Sequence, residues 1–126
     1  MTREQHRMSM RAAWMRYFSD IDVFLCPTNF TAAFPHDSRP FGERTISTPE
    51  GDRPYFNQSF WIAPASLAGL PAVSAPIGVT PAGLPVGAQI IGPHYEDDTA
   101  VTFAELLADV TGGYEPPPPH PPLPAP

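Results

Sequence analysis

Proline governs what this chain can form, because 19 of its 126 residues are proline. Proline locks φ, lacks an N–H and disfavours helix in the residue before it, so regular elements must fit into the gaps. From Pro116 onward eight of eleven residues are proline. That tail cannot build helix or sheet, and an exposed, disordered polyproline II extension is expected over 116–126. Pro35, Pro40, Pro49 and Pro54 fall with Gly42 and Gly51 between Asn29 and Tyr55. This spacing predicts a long irregular loop, either a lid or a segment that needs other protein to lie on.

The remaining gaps hold helices and strands. Residues 2–18 read as a helix with Met10, Ala13, Trp14, Tyr17 and Ile21 on its apolar stripe. Arg3, Arg7 and Arg11 repeat on another face, which reads as solvated. Asp22 to Cys26 is a short buried strand closed by Pro27. Phe60 to Ala68 reads as a helix with Pro64 near its start and Gly69 as its stop. Ala72 to Ile77 and Val86 to Gly92 are strands, joined as a hairpin by the turn residues of 81–85. Ile90 and Ile91 are expected to be buried on opposite faces. Glu96, Asp97 and Asp98 open a last helix, capping its free N–H groups. Its stripe is Ala100, Phe103, Ala104, Leu107 and Ala108, and Gly112-Gly113 ends it. The pattern is α/β, with residues 1–115 as one segment.

Composition narrows the function. Apolar residues make up 42% and charged residues 16%, with a net charge of -6. This excludes wholesale disorder and a sequence-wide basic footprint for nucleic acid. No apolar run reaches the roughly 18 residues of a membrane span, and no secretory signal is expected. All seven basic residues are arginine. Any chemistry needing a Schiff-base amine or a lysine base therefore cannot be completed by this chain alone. Ser19, Ser38, Ser47, Ser59, Ser66, Ser74 and Cys26 are the nucleophile candidates, but none lies in a Gly-x-Ser-x-Gly elbow. Cys26 reads as a buried, inert thiol. His36-Asp37 and His94 to Asp98 hold ligand types without metal-site spacing. His6 and His120, near the ends, read as solvated. Gly78, Gly83, Gly87 and Gly92 do not form a dinucleotide fingerprint. No catalytic residue, metal ligand or cofactor is assigned.

Four stretches carry a resemblance. They are Asp22-Val23-Phe24-Leu25-Cys26-Pro27-Thr28, the run from Leu67-Ala68-Gly69-Leu70-Pro71 to Gly78, the run from Gly83-Leu84-Pro85 to Pro93, and the Asp97-Asp98 helix start. In order and spacing they resemble the amidase signature family. The resemblance implies the C-terminal portion of an α/β/α fold with a large mixed sheet and flanking helices. It implies hydrolysis of amide C–N bonds by a serine, a second serine on a cis peptide, and a lysine, all outside this chain. The partner it implies is the N-terminal part of such a domain, on the same or a neighbouring chain. A small-molecule amide is the implied substrate, with no nucleic acid or membrane partner and a cytoplasmic location. Where the family often has Pro-Phe-Asn-Leu, this chain has Pro64-Ala65-Ser66-Leu67, and Trp61 could fill the space of the missing phenyl ring. Trp61 and Pro64 are accordingly the candidates for lining the acyl side of the substrate pocket. The alternative is a non-enzymatic module that binds through its proline tail and exposed sheet edges.

Overall fold

The structure is a computed structural model that describes residues 2–117. Its helices are α1 (Arg3–Tyr17), α2 (Ser59–Ala68) and α3 (Asp97–Thr111). Its strands are β1 (Phe24–Pro27), β2 (Thr45–Thr48), β3 (Gly51–Pro54), β4 (Ala72–Val79) and β5 (Pro85–Ile91). Single 3₁₀ turns cover Phe41–Glu43 and Tyr55–Gln58.

The main sheet has the order β1-β5-β4, every neighbour antiparallel. β5 is its centre. Phe24 and Ala72 flank Ile91 in register, and Leu25 and Val73 flank Ile90. Side chains alternate across a strand, so these adjacent isoleucines point to opposite layers. Ile91 packs with Cys26, Ala65, Ala68 and Leu70, under Trp14, Phe18 and Phe24. Ile90 packs with Ala75 and Ala100, beside Phe103, Ala104 and Leu107. Helices α1 and α2 thus cover one face and α3 the other, giving the α/β/α layering that the resemblance implies. The β4–β5 hairpin closes as its turn residues require. Thr80 N donates to Leu84 O at 2.8 Å and Gly83 N to Thr80 O at 2.8 Å, with Gly83 at φ 79°.

The helix ends have local causes. Thr2 caps α1 in a box with Gln5, each side chain meeting the other's backbone N–H. Gly69 ends α2 at φ 67° and Gly112 ends α3 at φ 90°. Both are left-handed conformations that glycine adopts without a Cβ penalty.

Five expectations need correction. The apolar face of α1 is rotated: Met10, Trp14 and Phe18 are half-buried, while Ala13, Tyr17 and Ile21 are exposed. The arginine row is not merely solvated. Arg7 Nε donates to Leu67 O at 3.2 Å and Arg11 Nε to Ala68 O at 2.7 Å. These guanidinium groups satisfy orphan carbonyls at the negative end of α2. Pro64 is the sixth residue of α2, inside the helix rather than near its start. The segment from Asn29 to Tyr55 is not structureless, since β2 and β3 pair antiparallel within it. Glu96 makes no side-chain cap; its carboxylate instead accepts from Thr99 Oγ1 at 3.3 Å. Pro116 and Pro117 are exposed, and the rest of the expected 116–126 tail lies outside the described residues.

Candidate functional site

The site is built from the elements that enter α2. The 3₁₀ turn at Tyr55–Gln58 runs directly into Ser59, which brings Phe56, Phe60 and Trp61 into one neighbourhood. Phe60 and Trp61 pack edge to face, centroids 5.2 Å apart at 88°. With Phe30 they line an open groove of about 610 Å³, bordered by Thr48, Pro49, Glu50 and Arg53 from the β2–β3 hairpin. That volume falls within the ~300–1,000 Å³ usual for small-molecule sites. Phe56 is 67% and Phe60 68% exposed, a large apolar area for a surface to leave in water.

Polar contacts hold the groove's sides in place. Asn29 Nδ2 donates to Gln58 Oε1 at 3.1 Å, and Gln58 Nε2 donates to Tyr55 O at 3.2 Å. The loop after β1 is thereby tied to the turn that begins α2. Arg53 and Glu50 form an ion pair at 2.8 Å, so the rim's charges compensate each other. Such an exposed pair adds only about 0–1 kcal/mol. Beneath the hairpin, Arg44 lies over the Tyr55 ring, 5.8 Å from its centroid, and Phe34 and Phe41 meet the same ring edge-on. Arg39 grips both oxygens of Asp37 and also reaches Thr45 Oγ1 at 3.1 Å. The hydrogen bonds from Arg39 hold the Asp37 carboxyl down at about 2. The same bonds raise the Arg39 guanidinium above its ordinary value.

Trp61 stands in the groove wall and also packs against the core cluster around Ile91. Pro64 does not line the groove; it is half-buried in α2, nearly one turn beyond Trp61. The nucleophile candidates are scattered. Ser47 donates to Asp52, Ser59 to Phe56 O and Ser19 to Arg16 O. Ser74 sits against the position where a Cβ on Gly87 would be, 3.2 Å away, across from Thr28. Thr28 Oγ1 donates to Gly87 O at 2.9 Å, locking β1 to β5 at the mouth of a second, open concavity of about 750 Å³. Among the described residues no serine hydroxyl is hydrogen-bonded to a histidine. Cys26 is buried, and its sulfur accepts from Gln89 at 3.3 Å. His94 Nδ1 donates to Gly69 O at 2.9 Å, a third cap on the end of α2. No group of three metal-ligating side chains occurs among the described residues.

Sequence reasoning did not find Phe30, Phe56, Phe60 or the β2–β3 rim. The available signal was the density of aromatic residues flanking the proline-rich segment. Gln89 was also missed, although an amide in a strand of apolar neighbours marks a specific buried bond.

These features define a class: a three-layer α/β/α segment with an aromatic-lined surface groove and, among the described residues, no charge relay of its own. The chain belongs to the Amidase family, whose family model matches residues 1–101. It is similar to the A subunit of glutamyl-tRNA(Gln) amidotransferase from Leptospira interrogans, at 32% identity over 88% of this chain and 21% of the relative. It is similar to the same protein of Parvibaculum lavamentivorans, at 39% identity over 71% of this chain and 16% of the relative. The crystal structure of the corresponding protein from Thermotoga maritima superposes with a TM-score of 0.58 at 34% identity, covering 75% of this chain and 18% of that one. An amidase crystal structure at 23% identity shares the fold with a TM-score of 0.66, over 84% of this chain and 23% of that one. The chain thus spans about a fifth of the length of the relatives it matches. Among the described residues no helix is long and apolar enough to cross a membrane.

Proposed function

We propose that this chain is the C-terminal segment of an amide-hydrolysing enzyme of the amidase signature family. The observation that carries the reading is a family match over residues 1–101 in a chain without lysine. In this reading residues 1–115 complete the fold and 116–126 extend it. The nucleophilic serine, its cis-peptide serine partner and the lysine come from the N-terminal part of the domain, on the same or a neighbouring polypeptide. The substrate is a small-molecule amide, no cofactor or metal is needed, and the enzyme is cytoplasmic. The likeness to amidotransferase A subunits supports an amidase of that general type. Nothing in the groove or the comparisons favours a non-enzymatic module.

This chain's own residues would bind and orient. Phe30, Phe56, Phe60 and Trp61 offer an apolar wall to the acyl side of the amide, with Pro64 in the helix behind it. Packing there places the carbonyl carbon before a nucleophile delivered from outside, and such positioning is a large part of what an enzyme contributes.

The purified chain, assayed alone on aliphatic and aryl amides, is expected to give no turnover above buffer. Complemented with the N-terminal part of a family member, it should turn amides over. In that enzyme Trp61→Ala should change the ratio of specificity constants between short and long acyl amides by roughly tenfold. Turnover by the lone chain that one point substitution abolishes would overturn the reading. An unchanged acyl preference would return Trp61 to the ordinary core.

A further inference from the structure

We propose that Gln89 is a positioning residue: its buried amide fixes the Trp61 turn of α2 to the central strand at the point where Pro64 has interrupted the helix. Gln89 is 7% exposed and is the only buried polar side chain among the described residues. Its neighbours Ala88, Ile90 and Ile91 are all apolar and buried. A buried amide is unfavourable unless its hydrogens are bonded. Here Nε2 donates to Trp61 O at 2.9 Å and to Cys26 Sγ at 3.3 Å, so both hydrogens are engaged. Cys26 is the register partner of Gln89 on β1. The amide is therefore anchored on the sheet side and reaches across the layer to the helix.

The reason for that reach lies in α2. A proline inside a helix removes the bond to the carbonyl four residues back and pushes that carbonyl away. For Pro64 this carbonyl belongs to Phe60, beside Trp61. The turn that carries Phe60 and Trp61 thus lacks one of the bonds that would hold it to Pro64–Ala68. The second half of the helix has its own anchors, in Gly69, Arg7, Arg11 and His94. Gln89 does not take up the freed Phe60 carbonyl; it bonds the next one, Trp61 O, and so ties this half to β5, alongside the Asn29–Gln58 bond at its start. Its consequence for substrate rests on the function proposed above, but the tie itself does not.

The test uses the full chain labelled with 5-fluorotryptophan. Its two tryptophans, Trp14 and Trp61, give separate ¹⁹F signals, assigned with Trp61→Phe. Gln89→Met keeps the length of the side chain and removes the donors. The Trp61 signal is expected to shift or broaden while the Trp14 signal, from the same packed layer, stays in place. Movement of both signals, or of neither, overturns the proposal. In a Pro64→Ala background the helix regains its N–H, and the effect of Gln89→Met should shrink; an undiminished effect overturns it. Should Gln89→Met fail to fold, the unsubstituted protein still decides. The Gln89 side-chain amide should exchange with solvent far more slowly than a free glutamine amide, and exchange at the free rate overturns the tie. A shifted Trp61 signal combined with unaltered acyl preference in the complemented enzyme supports the tie and removes the acyl-wall reading instead.

Discussion

At Gly69 the backbone stands at φ 67°, and a Cβ built there would lie 2.7 Å from Arg11 Nη2. Arg11 could swing aside only by loosening its 2.7 Å bond to Ala68 O. Gly69→Ala should therefore lower stability by about 1–3 kcal/mol, from left-handed strain and a disturbed cap together. Urea midpoints measure this, and adding Arg11→Ala should cost less than the sum of the two changes. Asp37 allows a second residue-scale prediction. Its carboxyl titrates at about 2 when folded, against an ordinary 3.8. A depressed carboxylate contributes stability that is complete above its unfolded value and lost as pH falls through the folded one. The contribution should thus fade between about pH 4 and pH 2. The ¹³C titration of the Asp37 carboxyl should move back toward 3.8 in Arg39→Ala. Gly69 was legible in the sequence because its constraint is local, a helix stop followed by Leu70-Pro71. The capping role of Arg7 and Arg11 was not, because the carbonyls they meet lie 60 and 57 residues away.

Among the elements, β5 carries the core. Ile90 and Ile91 are both fully buried, one in each layer, whereas Leu25 on the edge strand β1 is 49% exposed. Ile90→Ala and Ile91→Ala should each cost about 2–5 kcal/mol. Leu25→Ala should stay within about 1 kcal/mol. Chemical denaturation of the three variants checks the ranking, and equal losses would contradict a single central strand. The β4–β5 hairpin was legible because its turn is written in residues 81–85 and its strands are apolar. The β2–β3 hairpin was not. Its loop residues, Pro49 and Glu50, lack the Asn-Gly type of signal, and Gly51-Asp52-Arg53-Pro54 has little strand propensity. Side-chain contacts such as Ser47 to Asp52, at 2.9 Å, support that pairing instead.

As a whole the molecule is a three-layer slab with both sheet edges open among the described residues. β1 and β4 each have a neighbour on one side only, and Val79 on β4 is 68% exposed. Unpaired edges beside apolar surface favour association. The purified chain should sediment as a concentration-dependent mixture, and a monodisperse monomer with cooperative unfolding would contradict this. Of the residues that line the groove, Trp61 alone was singled out from the sequence. The rest depends on the β2–β3 tip and the start of α2 bordering the same groove, which is a tertiary fact. The order of the strands has one more consequence, in time rather than in space. β4, β5 and α3 follow one another along the chain and can meet at once. β1 must find β5 from far upstream: Cys26 and Gln89 are 63 residues apart. Closing so long a loop is entropically slow, and high contact order delays folding. The amino-terminal helix and strand should therefore dock last, and pulse-labelled amides should gain protection in β4 and β5 before β1. The seam between β1 and β5 is where the chain pauses, and a pause there leaves the β1-side edge of β5 free to accept whichever strand reaches it first.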